Sequence, residues 1–358
     1  MDTLLSPRRR SLLGAFGALT ALGVAGCGSR TATPEGQRFA GMTMGSTYTV
    51  RTAGRVLPAQ QLERLAADVQ SALDSVDSRM SLYRPESELS RLNAQPAGLA
   101  FSASNELLHV LRGGQQVTRL SEGAFDMTVA PLVLAWGFGP GAAVTGPAIP
   151  AAAQVSDGRR LLGHAALELD AARGAAIKHR AGLALDLGGI AKGHGVDRAA
   201  QVLQDAGVEH FMVEVGGEVR TAGLNHLGQA WRIGIEEPDA MPRRARLVLP
   251  VSGQSVATSG DYRNYFEENG RRYSHTIDPA TGEPIAHGLA SVSVVADNCL
   301  LADALATALN VLGPDRGMAL AQREGIAAHF IVRRAGGDLR DYSSQAMLAL
   351  RGGLSSSA

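Results

Sequence analysis

Strand-like and helix-like segments are mixed along this chain without strict βαβ alternation. That pattern excludes a doubly wound parallel sheet and points to an α+β fold of mixed sheets with packed helices. Residues 48–51 alternate as a strand. Residues 59–80 carry Leu62, Leu65, Ala66, Val69, Leu73 and Val76 as an apolar helical stripe. A second helix is predicted over 106–121 and an Ala/Pro/Gly-rich loop over 142–153. Paired short strands are predicted over 167–187 and a helix over 196–206, closed by Gly207 as a C-cap. Further strands are expected at 211–215 (before Gly216-Gly217), 231–235, 248–257 and 290–295. A last helix over 302–312 is stopped by Gly313-Pro314. There is no internal repeat.

The 358 residues suffice for about two domains or one large one. Apolar residues make up 45 % and charged residues 19 %, ordinary for a globular chain with a sizeable core. Lys+Arg and Asp+Glu both number 34, so the formal net charge is zero. No basic run occurs beyond the first ten residues, and aromatics are only 4 %. Both observations argue against a nucleic-acid binder.

The N-terminus has the layout of an export signal. Arg8, Arg9 and Arg10 precede an apolar run over 12–25, whose 14 residues are too few to span a bilayer. Arg9-Arg10-Ser11-Leu12-Leu13 fits a twin-arginine signal loosely, and the ordinary secretory route fits as well. Val24-Ala25-Gly26-Cys27 resembles a bacterial lipobox, with Cys27 as the lipidated residue; the alternative is a plain signal peptide with a chance cysteine. On the lipobox reading, residues 1–26 are the signal, 27–38 the lipidated cysteine with a polar tether, and 39–350 the folded domain. The protein is then exported and held at the membrane by its lipid, facing the periplasm. Cys299, the only other cysteine, is expected to be a buried small hydrophobe.

Three segments concentrate chemistry. Leu185-Asp186-Leu187-Gly188-Gly189-Ile190-Ala191-Lys192-Gly193 turns into a helix, where free N–H groups and Lys192 suit an anionic phosphate. A glycine-rich structural turn is the bland alternative. Residues 256–265 and 273–282 crowd donors, acceptors and titratable groups around His275, a proton shuttle or a structural histidine. Asp303 and Thr307 stand four apart on one helix face. Burying them without a partner is costly, and a hard cation such as Mg²⁺ would satisfy both; a cap with a back-bonded threonine is the alternative. No zinc spacing, HExxH or Gly-x-Ser-x-Gly elbow occurs.

Taken in order, these segments resemble the FAD:protein FMN transferase family, the ApbE flavin transferases. The likeness runs from Thr43-Met44-Gly45-Ser46-Thr47-Tyr48 through Met80-Ser81-Leu82-Tyr83, Ser87-Glu88 and Leu92-Asn93. It continues with Gly123-Ala124-Phe125-Asp126-Met127-Thr128-Val129, Pro131-Leu132-Val133 and Trp136-Gly137-Phe138-Gly139. The Asp186 loop, Val215-Gly216-Gly217-Glu218, the 258–278 stretch and the 302 helix complete it. The resemblance implies one large, T-fold-like catalytic unit. It implies that Met44, Tyr83, Ala124, Phe125 and Asp126 line an FAD site, that Asp186 and Lys192 hold the FAD, and that Ile277 packs nearby. It implies Mg²⁺ on the Gly189 carbonyl, Asp303 and Thr307, with His275 as the catalytic histidine. Ala306 stands where some members carry an extra acid, so a leaner metal shell is expected. Tyr83 is the residue usual in transferases rather than in FAD-hydrolysing members.

The implied reaction moves FMN from FAD to a threonine hydroxyl of an acceptor flavoprotein, releasing AMP. Acceptors are expected among subunits of membrane electron-transport complexes of the sodium-pumping quinone reductase (Nqr) or Rnf type. Two rival readings are an FAD pyrophosphatase, with water as acceptor, and a non-catalytic lipoprotein that stores FAD.

Overall fold

The computed structural model describes residues 36–140, 146, 148–261, 265–334 and 336–353. The export signal, Cys27 and most of the expected tether therefore lie outside the described residues, as do Tyr262, Arg263 and Asn264. The chain divides into a unit of residues 1–33 and a unit of residues 34–358, and all the described elements belong to the second.

The unit opens with a hairpin, β1 (Gln37–Thr43) and β2 (Ser46–Thr52), then α1 (Ala59–Met80) and α2 (Glu88–Ala94). β3 (Ala100–Ser102) leads to α3 (Asn105–Leu120), a 3-10 turn at Met127–Val129 and α4 (Ala130–Ala135). Next come α5 (Ala152–Leu161), β4 (Leu167–Asp170), β5 (Ala175–Lys178) and α6 (Ala191–Asp205). A long β region follows: β6 (Phe211–Val215), β7 (Glu218–Ala222), β8 (Trp231–Glu236), β9 (Ala245–Val251) and β10 (Ser255–Gly260). It continues with β11 (Tyr265–Glu268), β12 (Arg271–Ser274) and β13 (Leu289–Ala296). α7 (Cys299–Arg323), β14 (Ala327–Arg333), β15 (Leu339–Ser343) and α8 (Gln345–Gly353) close the chain.

Eight strands form one sheet in the order β1-β2-β6-β7-β10-β13-β14-β15, and the pairings are antiparallel throughout. The fold is α+β. One face of the sheet carries the helices. Leu65, Val69 and Leu73 of α1 pack with Val196, Ala199 and Leu203 of α6 on Val50, Phe211 and Val213. Leu107, Leu108 and Leu111 of α3 and Ala304, Ala308 and Leu309 of α7 pack on Val292, Val294 and Phe330. The opposite face is covered by the β8–β9 ribbon, with Trp231, Ile233, Leu249 and Val251 against Val219, Val256, Val295 and Ile331. β13 is thus buried on both faces, which explains its unbroken Leu289–Val295 core run.

Several boundaries differ from the sequence reading. α1 spans the expected 59–80. The expected strand over 248–257 is two strands, β9 and β10, in different sheets, parted by a turn at 252–254. α5 starts inside the expected loop, at Ala152. The paired strands end at Lys178, leaving 179–190 as loop and turn. α6 begins five residues before the expected 196, through two glycines. α7 begins at Cys299, capped by the Asn298 side chain accepting from the Leu301 N–H at 2.9 Å. The backbone leaves helical geometry at Gly313, as the Gly-Pro pair implies, and then continues to Arg323. β1 takes in Gln37 and Arg38, the last two residues of the expected tether. Among the described residues no helix is long and apolar enough to cross a membrane.

Two tight turns sit side by side at one end of the sheet. Met44-Gly45 joins β1 to β2, and Gly216-Gly217 joins β6 to β7. Both residues of each turn have positive φ (46° and 69°; 60° and 111°), the twist that suits a two-residue hairpin. Because β2 pairs with β6, the Gly216 N–H donates to the Thr47 carbonyl at 3.1 Å. The two turns therefore meet above the start of α6.

Candidate active site

The start of α6 and one face of α7 supply the first group of predicted residues. The Gly193 N–H donates to Asp303 Oδ2 at 2.9 Å, so α6 approaches α7 backbone to side chain. A Cβ built on Gly189 would lie 2.9 Å from Thr307 Oγ1, which brings Gly189 against the threonine one turn along from Asp303. Gly189, Asp303 and Thr307 are together; helical spacing suggests the last two as neighbours, and the family resemblance adds Gly189. Asp303 is only 5 % exposed, and burial raises its pKa against the pull of Lys192 and the Gly193 N–H. Lys192, in the first turn of α6, is 34 % exposed at its side chain, and its Nζ donates to Glu218 Oε1 at 2.6 Å. Burial pulls the lysine down, but the charges of Asp303 and Glu218 outweigh it and its pKa is raised.

Whether a cation fits is decided by donor chemistry. A carboxylate, a hydroxyl and a peptide oxygen are all hard donors, the set that Mg²⁺ takes. Among the described residues no three His, Cys, Asp or Glu side chains converge as a metal site. A cation here would rest on this mixed oxygen set and on oxygens of its ligand.

The second group surrounds Asp186. Its backbone N–H donates to the Met127 carbonyl at 2.7 Å, tying the glycine loop to the segment that holds Asp126. Its Oδ1 accepts from the Gly188 N–H at 2.7 Å, and burial raises its pKa. Tyr83 lies near: burial and then the Asp186 charge raise the phenol, although the residue is 70 % exposed. The phenol donates to the Phe138 carbonyl at 3.3 Å, and the Phe138 ring meets His275 edge-on at 6.4 Å. His275, just after β12, is half-buried. Tyr83 and His275 thus flank Phe138. Ile277 is buried with Leu132, Trp136 and Tyr273 behind this segment. The Asn310 side chain of α7 donates to Thr276 Oγ1 at 3.4 Å, linking the His275 segment to the Asp303 helix.

The third group lines a cleft of about 250 Å³, where Ala124 and Asp126 meet Asp278, Val311 and Arg316. Asp126 Oδ1 accepts from both the N–H and the hydroxyl of Thr128 at 2.8 Å, which holds the turn shut. Val311 follows Thr307 by one helical turn, so the cleft continues the Asp303–Thr307 face. Phe125 packs in the main core rather than lining the cleft wall. Met44, in its hairpin turn, reaches Gly195, where an added Cβ would lie 2.7 Å from its Cε.

The ApbE family model matches residues 44–330. The chain belongs to the ApbE family. It is 40 % identical over 310 residues to the FAD:protein FMN transferase of Vibrio cholerae, covering 87 % of this chain and 91 % of that one. It is 35 % identical to the Haemophilus influenzae protein of the same name, over 94 % and 97 % of the two chains. The apo crystal structure of the Pseudomonas stutzeri flavinyl transferase ApbE superposes with a TM-score of 0.79 at 41 % identity, over 88 % and 96 % of the two chains. For an ApbE chain, two features here escape a reading of motifs alone. Arg316 joins the cleft only because α7 continues past its break at Gly313. Glu218, quoted within a motif but given no role, is the buried partner of Lys192. A signal for it existed: a two-residue Gly-Gly hairpin pairs Glu218 with Val215, on the face that the apolar residues of β6 turn to the core.

Proposed function

We infer that this chain moves the FMN moiety of FAD onto a protein acceptor, and that the acceptor atom is a threonine hydroxyl. One observation carries the reading: Gly189, Lys192, Asp303 and Thr307 meet at the junction of α6 and α7. The same α7 face runs into a cleft lined by Ala124 and Asp126. That combination suits a pyrophosphate held beside a cation and an ammonium, with the rest of the dinucleotide extending along the cleft.

The threonine oxygen attacks the phosphorus that carries the riboflavin unit. A new P–O bond forms, and the bond from that phosphorus to the bridging oxygen breaks. AMP leaves with the bridging oxygen. The hydroxyl proton passes to His275, whose ring meets Phe138 edge-on. Lys192 sets a positive charge where negative charge builds up. Asp303, Thr307 and the Gly189 carbonyl would hold Mg²⁺, which neutralises pyrophosphate charge when bound. Upstream, we assign 1–26 to export and Cys27 to lipid attachment, so that the enzyme works at the periplasmic membrane face. The acceptors proposed are subunits of membrane electron-transport complexes of the Nqr or Rnf type.

The test mixes the purified chain lacking residues 1–27 with FAD, Mg²⁺ and such an acceptor subunit. A mass gain of one FMN on the acceptor, lost with chelator and in His275→Ala, is expected. FMN and AMP released without an adduct would instead make the protein a pyrophosphatase. Bound FAD with no products would make it a flavin store.

A further inference from the structure

Glu218 is a buried carboxylate that the transfer chemistry leaves unused. It is 2 % exposed and opens β7 directly after the Gly216-Gly217 turn. Its Oε1 takes the Lys192 ammonium at 2.6 Å, while Oε2 is buried without a hydrogen-bond partner. A buried ion pair with one unsatisfied oxygen is a weak source of stability, and an apolar pair of similar volume is often neutral or better. Stability alone therefore gives little reason for a glutamate at this position.

The neighbouring charges supply a better one. The charges of two buried carboxylates, Asp303 and Glu218, both act on Lys192. Its ion pair is made with Glu218, not with Asp303. A lysine with a long flexible stem and no glutamate partner would fall onto the remaining carboxylate. That carboxylate is Asp303, whose Oδ2 is already engaged by the Gly193 N–H. An ammonium on the other oxygen would close the carboxylate to a cation.

Building on the function proposed above, we propose that Glu218 is a positioning residue that holds Lys192 off Asp303. It keeps the carboxylate open for a divalent cation and the ammonium directed at the pyrophosphate. Removing the glutamate then weakens cation binding through Lys192, although Glu218 does not itself touch the cation. Outer partners of this kind typically change metal affinity by about 10–100-fold.

The test measures Mn²⁺ binding by electron paramagnetic resonance on the purified, FAD-loaded protein, with no acceptor and no turnover. Glu218→Leu is expected to weaken Mn²⁺ by roughly 10–100-fold. Adding Lys192→Met to that variant is expected to restore affinity to within about threefold of the parent, because the competing ammonium is gone. Glu218→Gln keeps an acceptor for Lys192 without the charge. It is expected to show a smaller loss, likewise reversed by Lys192→Met, and it serves if the leucine variant does not fold. A double variant no better than the glutamate variant alone would overturn the positioning role, since a purely structural glutamate offers no such rescue. Unchanged affinity in both glutamate variants would overturn it as well. A parent protein that binds no Mn²⁺ would refute the cation site itself, an outcome distinct from the other two.

Discussion

Gly193→Ala tests the packing on which the site depends. The added Cβ would lie 2.2 Å from the Cys299 carbonyl oxygen, 2.7 Å from its carbon and 2.8 Å from Asp303 Cβ. Carbon contacts settle at about 3.5–4 Å, so α6 and α7 must part by roughly 1 Å. Two effects oppose each other. Alanine favours a helix over glycine by about 1 kcal/mol. Overpacking costs about 1–3 kcal/mol, and the upper end applies because the obstacle is backbone rather than a mobile side chain. The clash wins by about 2 kcal/mol. For a chain of this size, with an unfolding entropy of about 2.1 cal/mol/K per residue, that lowers Tm by roughly 3 °C. The assay is calorimetry beside Gly336→Ala, where an added Cβ meets nothing within 4 Å. The same variant moves Asp303 off its Gly193 hydrogen bond, so Mn²⁺ affinity should fall with Tm. A Gly193→Ala protein as stable as its parent, or more so, would show that the helices do not meet in this way.

Three further outcomes are expected. Asp303→Ala should cut acceptor labelling by at least about a hundredfold while far-UV circular dichroism stays that of the parent, since the carboxylate faces the site rather than the main core. Asp197→Ala should lower stability by about 2–3 kcal/mol in urea titration, because one carboxylate accepts from the Cys299 and Leu300 N–H groups at the start of α7 and also pairs with Arg220. His329 is buried and its pKa is lowered by that burial. Its neutral form therefore contributes stability above the ordinary histidine pKa near 6.5, and that contribution is lost as pH falls through the lower folded value. The Tm of His329→Gln should accordingly lose less than that of the parent between about pH 7.5 and 5.5, and parallel curves would exclude this assignment.

Local pattern predicted what local forces decide. The stripe Leu65, Val69, Leu73 and Val76 located α1 to the residue, because a long amphipathic helix needs only its own spacing to be recognised. Asp303 and Thr307 were legible for the same reason, as neighbours on one helix face. Elsewhere tertiary contacts override propensity. Residues 191–195 hold two glycines and read as a loop, yet they are helical because those glycines admit the Cys299 carbonyl and the Met44 side chain. The turn at 252–254 was hidden by the apolar residues on both sides of it, which serve two different sheets. Glu218 required hairpin register to be read as inward-facing, and its partner lies 26 residues earlier in the chain.

The pairing of β2 with β6 also governs the order of assembly. Thr47 and Gly216 are bonded neighbours, yet about 170 residues of chain separate them. The Met44 turn can join the site only after β6 exists, and Asp303 arrives later still. Such distant closures are slow relative to local helix formation. A chain emerging from synthesis therefore has no flavin site until most of its length is available, and an early termination product would carry the N-terminal segment without the ability to capture FAD.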